Sequence, residues 1–204
     1  QHLPLMQEAL GWVGHLPTRS RGTIGGSIAH ADPSAELPMV LLALDGAVVA
    51  TGAAGERVVA ADDLFDSVFT TTLASAEVLS EVRIPVMQAR AGFAVEEYAR
   101  RKGDFAIVAI ATVLEGDANR CTRARLVATG VGGRPIRLRA AEQMLEKGGP
   151  SAETVEAASR KAAEIVEPTS DPNASADFRR HLTGVLTKRA LLRAIKPLEK
   201  SSHG

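Results

Sequence analysis

The sequence predicts an α+β fold in two units, and three observations predict it. Short apolar runs at 47–50 and 57–60 flank a turn through Ala53-Ala54-Gly55-Glu56, and longer runs at 106–114 and 122–131 flank Gly116-Asp117-Ala118-Asn119. Both pairs read as hairpins, hence antiparallel sheet. From Leu138 onward apolar residues recur at three- and four-residue spacing through three successive segments, so the chain closes on three helices. Between these patterns Pro85, Gln88, Arg90 and Gly92 interrupt the alternation and new strands begin at Phe93, which divides the chain into 1–88 and 89–204.

In chain order, Leu3, Met6, Leu10 and Val13 are spaced for a short helix that Gly14 stops. A second apolar helix is expected over 34–44, closed by the Asp45-Gly46 turn that leads into the first hairpin. Asp62-Asp63 are placed to cap a short turn at Leu64-Phe65, and Thr70-Thr71-Thr72 reads as extended. Residues 77–84 alternate as a strand that sets Val78, Ser80, Val82 and Ile84 on one face and Leu79 and Glu81 on the other, until Pro85 ends it. After the second hairpin, Gly132-Gly133-Arg134-Pro135 makes a plain turn. The first closing helix buries Leu138, Ala141, Met144 and Leu145 and stops at Gly148-Gly149-Pro150. Ser151 caps the second, whose inner face is Val155, Ala158, Ala162, Ile165 and Val166. The third starts near Ser175 with Phe178, Leu182, Val185 and Leu186 inward, and 196–204 is expected as a frayed tail.

The stretch with chemical content is Arg21-Gly22-Thr23-Ile24-Gly25-Gly26-Ser27. Three glycines in five residues permit positive φ and let a backbone lie against a ligand, while Thr23 and Ser27 set hydroxyls beside exposed amides: a place for a phosphate. The dipole of the following 34–44 helix is expected to point at the same anion. No lysine follows the last glycine, as a Walker loop requires, and the next acid, Glu36, comes ten residues after Gly26 rather than the twenty or so of a dinucleotide fingerprint. A different nucleotide fold is indicated.

Thr18-Arg19-Ser20-Arg21-Gly22-Thr23-Ile24-Gly25-Gly26-Ser27, followed by Ala29-His30-Ala31-Asp32-Pro33 and Glu36-Leu37-Pro38, resembles the second FAD-binding loop of the flavoprotein (medium) subunits of molybdenum hydroxylases. The resemblance continues through Glu77-Val78-Leu79-Ser80-Glu81-Val82-Arg83-Ile84-Pro85, Ala99-Arg100-Arg101-Lys102-Gly103-Asp104-Phe105-Ala106, Ser170-Asp171 and Phe178-Arg179-Arg180. It implies the second subdomain of a PCMH-type (vanillyl-alcohol-oxidase-like) FAD-binding domain, followed by a C-terminal domain of a three-stranded antiparallel sheet with three helices. Carried over by position, it implies that Thr23, Ile24, Gly25, Gly26 and Ser27 contact the FAD pyrophosphate and ribityl region. It also implies that Glu36 accepts hydrogen bonds from cofactor hydroxyls, that Leu79 packs near the isoalloxazine ring, and that Arg101, with Arg100 and Asp104, shapes the flavin edge. Those last three residues equally suit salt bridges on the surface.

By the same resemblance the chain is the electron-transfer subunit of a larger oxidoreductase, passing electrons from iron-sulfur clusters through flavin to an external acceptor. Its partners are a large molybdenum-cofactor subunit, where substrate is oxidised, and a small subunit carrying 2Fe-2S clusters, in a dimer of heterotrimers. A first FAD loop is expected from another segment or chain, so that these residues alone hold FAD weakly. The alternative expectation is a structural or assembly module that docks on partner subunits and binds no flavin by itself.

Composition excludes several other classes. A chain of 204 residues buries about 70% of its unfolded surface, enough for a substantial core. Twenty-four basic residues balance 24 acidic ones, leaving no electrostatic footprint for nucleic acid or for an anionic membrane. Cys121 is the only cysteine, so neither an internal disulfide nor a cysteine-ligated cluster can form, and it reads as a small hydrophobe at a strand start. His15 and His30 have no second ligand at i+3 or i+4, and no G-x-S-x-G elbow occurs. With no apolar run of about 18 residues and no signal-peptide layout, a cytoplasmic protein without membrane insertion is expected.

Overall fold

The computed structural model describes residues 2–200, and the expected tail beyond 200 lies outside the described residues. The first unit opens with α1 (Pro4–Ala9), α2 (Leu16–Arg19), α3 (Ile24–His30) and α4 (Glu36–Ala43), followed by the hairpin β1 (Ala47–Gly52) and β2 (Gly55–Ala60). Then come α5 (Ala61–Leu64), β3 (Phe65–Ser67), β4 (Thr70–Thr71) and β5 (Val78–Arg83). The second unit holds β6 (Gly92–Tyr98), β7 (Val108–Gly116), β8 (Cys121–Thr129), β9 (Ile136–Arg137), α6 (Arg139–Gly148), α7 (Ala152–Ile165) and α8 (Ala176–Lys200). The fold is α+β with antiparallel sheets of order β2-β1-β5, β3-β4 and β6-β7-β8-β9. Three long strands make the last sheet, and the two-residue β9 adds a short edge to the three that were expected.

Residues 37–44 form a continuous apolar run because α4 is buried on every side. It lies between α1 and one face of the four-stranded sheet. Along β7, Ala109, Ala111 and Val113 join the core around α4, while Val108, Ile110 and Leu114 join the core beneath α6, α7 and α8. The strand reads as unbroken apolar sequence because both its faces are covered.

Four local expectations are corrected. A register shift at Val49/Ala50 leaves Ser80 unpaired between Leu79 and Glu81, and this bulge inverts the alternation along β5. Leu79, Val82 and Ile84 therefore pack on the core together, whereas Val78, expected beside Val82, is 68% exposed. Asp62 and Asp63 lie inside α5 and cap nothing with their side chains. Phe178 is partly exposed, edge-on to Tyr98 with centroids 5.8 Å apart, rather than inward. Finally, α8 runs on through Pro197 to Lys200 in place of a tail beginning at 196, because Ala194, Ile195 and Leu198 are buried in the second core. The expected cap at Ser151 is present: the Thr154 N–H donates to Ser151 Oγ at 3.2 Å.

Polar clamps fix the first unit on the second. Asp45, with φ at 49°, accepts from Arg123, from Arg125 Nε at 2.9 Å and from Arg137 at 3.2 Å, and Arg137 also pairs with the buried Glu142 at 2.6 Å. Arg193 of α8 donates to Val95 O at 2.9 Å, to Glu96 at 2.7 Å and to Glu8 at 2.7 Å, and Glu8 in turn accepts the Val95 N–H at 2.8 Å. This second clamp sets the end of α1 against the end of β6.

Candidate functional site

The glycine stretch is folded as a helix, not as the positive-φ loop its composition suggests. Neither Gly22, Gly25 nor Gly26 has a positive φ, and α3 starts at Ile24. Thr23 is its N-cap in extended conformation: Thr23 Oγ1 accepts the Gly26 N–H at 2.9 Å and Thr23 O accepts the Ser27 N–H at 3.1 Å. Ala31, in the left-handed region, closes the other end, and buried Ile28 anchors the helix to the core. The first amides of a helix have no acceptor within it. With Gly26 and Ser27 served by Thr23, those of Ile24 and Gly25 are left to an acceptor outside the helix.

Each glycine has its own reason. A Cβ on Gly22 would meet Thr18 O at 3.0 Å, and one on Gly26 would meet Thr23 Oγ1 at 2.8 Å, so both serve the local turn and cap. Gly25 differs. A Cβ there would meet only Leu79 Cδ2, at an ordinary 3.5 Å, so the chain's own atoms do not exclude a side chain. The bare backbone at Gly25 thus faces Leu79 of β5 across a gap that one methyl group would fill, a cradle beside the free amides of Ile24 and Gly25. Ile24 is 43% exposed and Ser27 half-buried on the same short helix.

Glu36 lies in the first turn of α4, 7% exposed, so that helix offers its N-terminus to its own carboxyl instead of to an anion as expected. Burial raises the Glu36 pKa, its own backbone N–H opposes the rise, and nearby Asp32, also buried, adds to it. The acid that sequence reasoning missed is Glu97 of β6. It is 8% exposed, neither carboxyl oxygen has a hydrogen-bond partner among the described residues, and burial, with Glu36 adding to it, pushes its pKa up to about 8. Nothing in the local pattern Phe93-Ala94-Val95-Glu96-Glu97-Tyr98 marks it off from Glu96, which pairs with Arg193.

Glu97 lines a cavity of about 350 Å³ together with Gly11, Trp12, Tyr98, Arg101 and Lys102. The structure therefore brings the predicted residues together in two groups: Thr23 to Ser27 with Leu79 on one side, and Arg101 at this cavity, which Glu97 links electrostatically to Glu36. Arg100 and Asp104 are engaged on the surface: Arg100 donates to Pro172 O at 3.2 Å, and Asp104 lies 3.5 Å from His15. His30 packs against Phe69, ring centroids 4.9 Å apart.

Two family models cover most of the chain. Residues 1–87 match the FAD binding domain in molybdopterin dehydrogenase, and residues 93–194 match the CO dehydrogenase flavoprotein C-terminal domain. Among curated proteins, the 6-hydroxypseudooxynicotine dehydrogenase complex subunit alpha of Paenarthrobacter nicotinovorans is 38% identical over 96% of this chain and 66% of the relative. The nicotine 6-hydroxylase medium subunit of the same organism is 38% identical over 95% of this chain and 68% of its own length. Among solved structures, a carbon monoxide dehydrogenase from Hydrogenophaga pseudoflava superimposes with a TM-score of 0.93 at 35% identity, covering 97% of this chain and 69% of that one. Quinoline 2-oxidoreductase from Pseudomonas putida 86 gives 0.89 at 36% identity, covering 96% and 68%. The chain thus spans about two thirds of the length of the relatives it matches.

Proposed function

We propose, because this chain belongs to the flavoprotein (medium-subunit) family of molybdenum hydroxylases, that it carries FAD as the electron-transfer component of such a complex. In this reading it relays electrons from 2Fe-2S clusters on a small subunit to an external acceptor, while substrate is oxidised at a molybdenum cofactor on a large subunit. The three chains assemble as a dimer of heterotrimers. Residues 1–88 are the cofactor-holding part and 89–204 the C-terminal domain that braces it.

The observation that carries the reading is the start of α3, where Thr23 takes the Gly26 and Ser27 amides and leaves those of Ile24 and Gly25, the latter without a side chain, to an acceptor outside the helix. Flavin, when bound, supplies the redox chemistry, accepting electrons singly or in pairs. The residues here supply binding and orientation. Thr23 fixes the start of α3 so that the free amides of Ile24 and Gly25, with the Ser27 hydroxyl, meet the pyrophosphate and ribityl oxygens. Leu79, turned to the core side by the Ser80 bulge, packs against the isoalloxazine ring. Glu36 accepts from cofactor hydroxyls, and Arg101 borders the ring's edge.

The test is flavin content. The chain is purified alone and with its partner subunits, bound cofactor is released, and the flavin bands are read by absorbance. FAD in the complex and little in the lone chain supports a site completed by a further segment. Absence of flavin from both preparations would refute the cofactor role and leave a docking module.

A further inference from the structure

Phe69 stands at the tip of the β3–β4 hairpin in the left-handed region of backbone space, with φ at 54°. For a bulky residue that conformation is strained, and strain of this kind persists only where the surroundings over-determine it. Filling the core is not its purpose, because Phe69 is 56% exposed and Val68 beside it 51%. Glycine would make the same turn without steric cost, so what the position gains from phenylalanine is the ring. Among the described residues that ring meets the His30 imidazole, with centroids 4.9 Å apart and planes tilted by 32°.

His30 is the last residue of α3, and the tip takes the same helix end by its backbone as well: the Phe69 N–H donates at 3.2 Å to the carbonyl of Ala31, the left-handed C-cap. The tip is itself braced from the second unit. Arg134 Nη1 donates to Phe65 O at 2.7 Å, and the Gly133 backbone lies so near that a Cβ on it would meet Val68 Cγ2 at 3.5 Å. With seven residues α3 is a rod about 10 Å long, and Ile28 pins it to the first core. A short rod held at one end and pinned along its length has its other end placed too. That other end is the segment in which Gly25 faces Leu79.

We propose that Phe69 is a positioning residue for the cofactor: clamped on His30 and Ala31, it sets the direction of α3 and with it the separation between the Gly25 backbone and Leu79. The inference rests on the flavoprotein reading and adds to it a residue that acts through α3.

Phe69→Gly removes the ring and the strain together, which gives this role a signature that a merely structural one lacks. A melt of the flavin-free chain is expected to show an unchanged or raised Tm, while the complete complex, dialysed against graded FAD, loses affinity tenfold or more. Phe69→Tyr, which keeps the ring, is expected to stay within threefold of wild type. His30→Ala, at an exposed residue, removes the other half of the clamp and serves as the second variant should Phe69→Gly fail to fold. It is expected to weaken FAD to a similar degree, and the double variant no further than either single one, since both act through one contact. Hydrogen exchange gives a readout that needs no cofactor: in the flavin-free chain the amides of residues 27–31 are expected to exchange at least fivefold faster in either variant. Equal FAD affinity in variant and wild type, affinity and Tm falling in step, additive losses in the double variant, or unchanged exchange overturns the proposal. A wild-type complex without flavin overturns the flavoprotein reading and this inference with it, whereas a flavin-loaded wild type beside an unaffected variant overturns the inference alone.

Discussion

Gly25→Ala is expected to move stability and flavin affinity in opposite directions. Gly25 has no positive φ and lies in the first turn of α3, and a Cβ there meets only Leu79 Cδ2, at 3.5 Å. The substitution therefore introduces no strain, and a glycine-to-alanine change in a helix stabilises by about 0.5–1 kcal/mol, with the lower figure apt so close to the helix start. For a chain of this size a gain of about 0.5 kcal/mol raises Tm by about 1–2 °C. In the FAD-bound state proposed above, the same methyl group would stand where a phosphate oxygen is to approach the free amides. Losing one charge-assisted hydrogen bond costs about 1.5–3 kcal/mol, a fall in affinity of roughly tenfold to a hundredfold. The assay pairs a thermal melt of the flavin-free chain with FAD occupancy of the complete complex after dialysis against graded flavin. A raised Tm with undiminished FAD affinity would refute the cradle, because the glycine would then be serving neither the fold nor the ligand. A lowered Tm would refute the geometry on which the cradle rests.

Further outcomes follow from the clamps and the buried acids. Thr23→Val removes the acceptor for the Gly26 N–H and is expected to cost about 1 kcal/mol in chemical denaturation. Asp45→Ala leaves Arg123, Arg125 and Arg137 crowded without their shared carboxylate; since the Asp45 side chain is 29% exposed, a loss of about 2–3 kcal/mol is expected, below that of a fully buried pair. Arg179→Met withdraws the donor from the buried carbonyls of Ile107 and Gly130 and from Asp171, and about 2–4 kcal/mol should disappear from the unfolding free energy. For Glu97 the folded pKa of about 8 exceeds the ordinary 4.5, so between these values the folded chain retains a proton that the unfolded chain has released. The stabilising contribution is thus fully present below about pH 4.5 and is lost as pH rises toward 8, at no more than about 1.4 kcal/mol per pH unit. Melts of Glu97→Gln across this range should show a flatter decline than wild type, and parallel curves would contradict a buried neutral acid.

What the sequence made legible was whatever short-range chemistry decides. The two hairpins follow from turn residues between β-rich runs, and the Ser151 cap follows from a hydroxyl placed before an apolar-periodic segment. Even α4, a poor amphipath, could be read from its length and unbroken apolarity. Where the sequence misled, a longer-range term decided. Gly25-Gly26 lowers helix propensity, yet α3 forms because Thr23 caps it, Ala31 closes it in the left-handed region and Ile28 is drawn into a core supplied by residues elsewhere in the chain. The Ser80 bulge is a property of pairing with β1, and no residue within β5 announces it; it changes which side chain faces the site, since strict alternation would separate Leu79 from Val82.

The same distinction explains why half of the candidate site was legible and half was not. The glycine stretch is contiguous, so its composition alone drew attention, although for the wrong conformation. Glu97 and Glu96 are adjacent acids on one strand, and their fates diverge because alternation sends one to Arg193 and buries the other at a cavity that Trp12, 85 positions earlier in the chain, also lines. Trp12 follows α1, which the Glu8–Arg193 clamp, formed by residues 185 apart, ties to β6, and it packs against the first apolar core. The cavity is therefore a consequence of the two units being packed as one, with α1 of the first closing over the first strand of the second. If so, Arg193→Met, which releases Glu8, Glu96 and the Val95 carbonyl together, should loosen the cavity before it unfolds the chain. Trp12 emission is expected to shift to the red and become open to iodide quenching at temperatures where the circular dichroism of the helices is unchanged. Simultaneous loss of both signals would show that α1 and the sheet are held by apolar packing alone and that the clamp contributes nothing to the site.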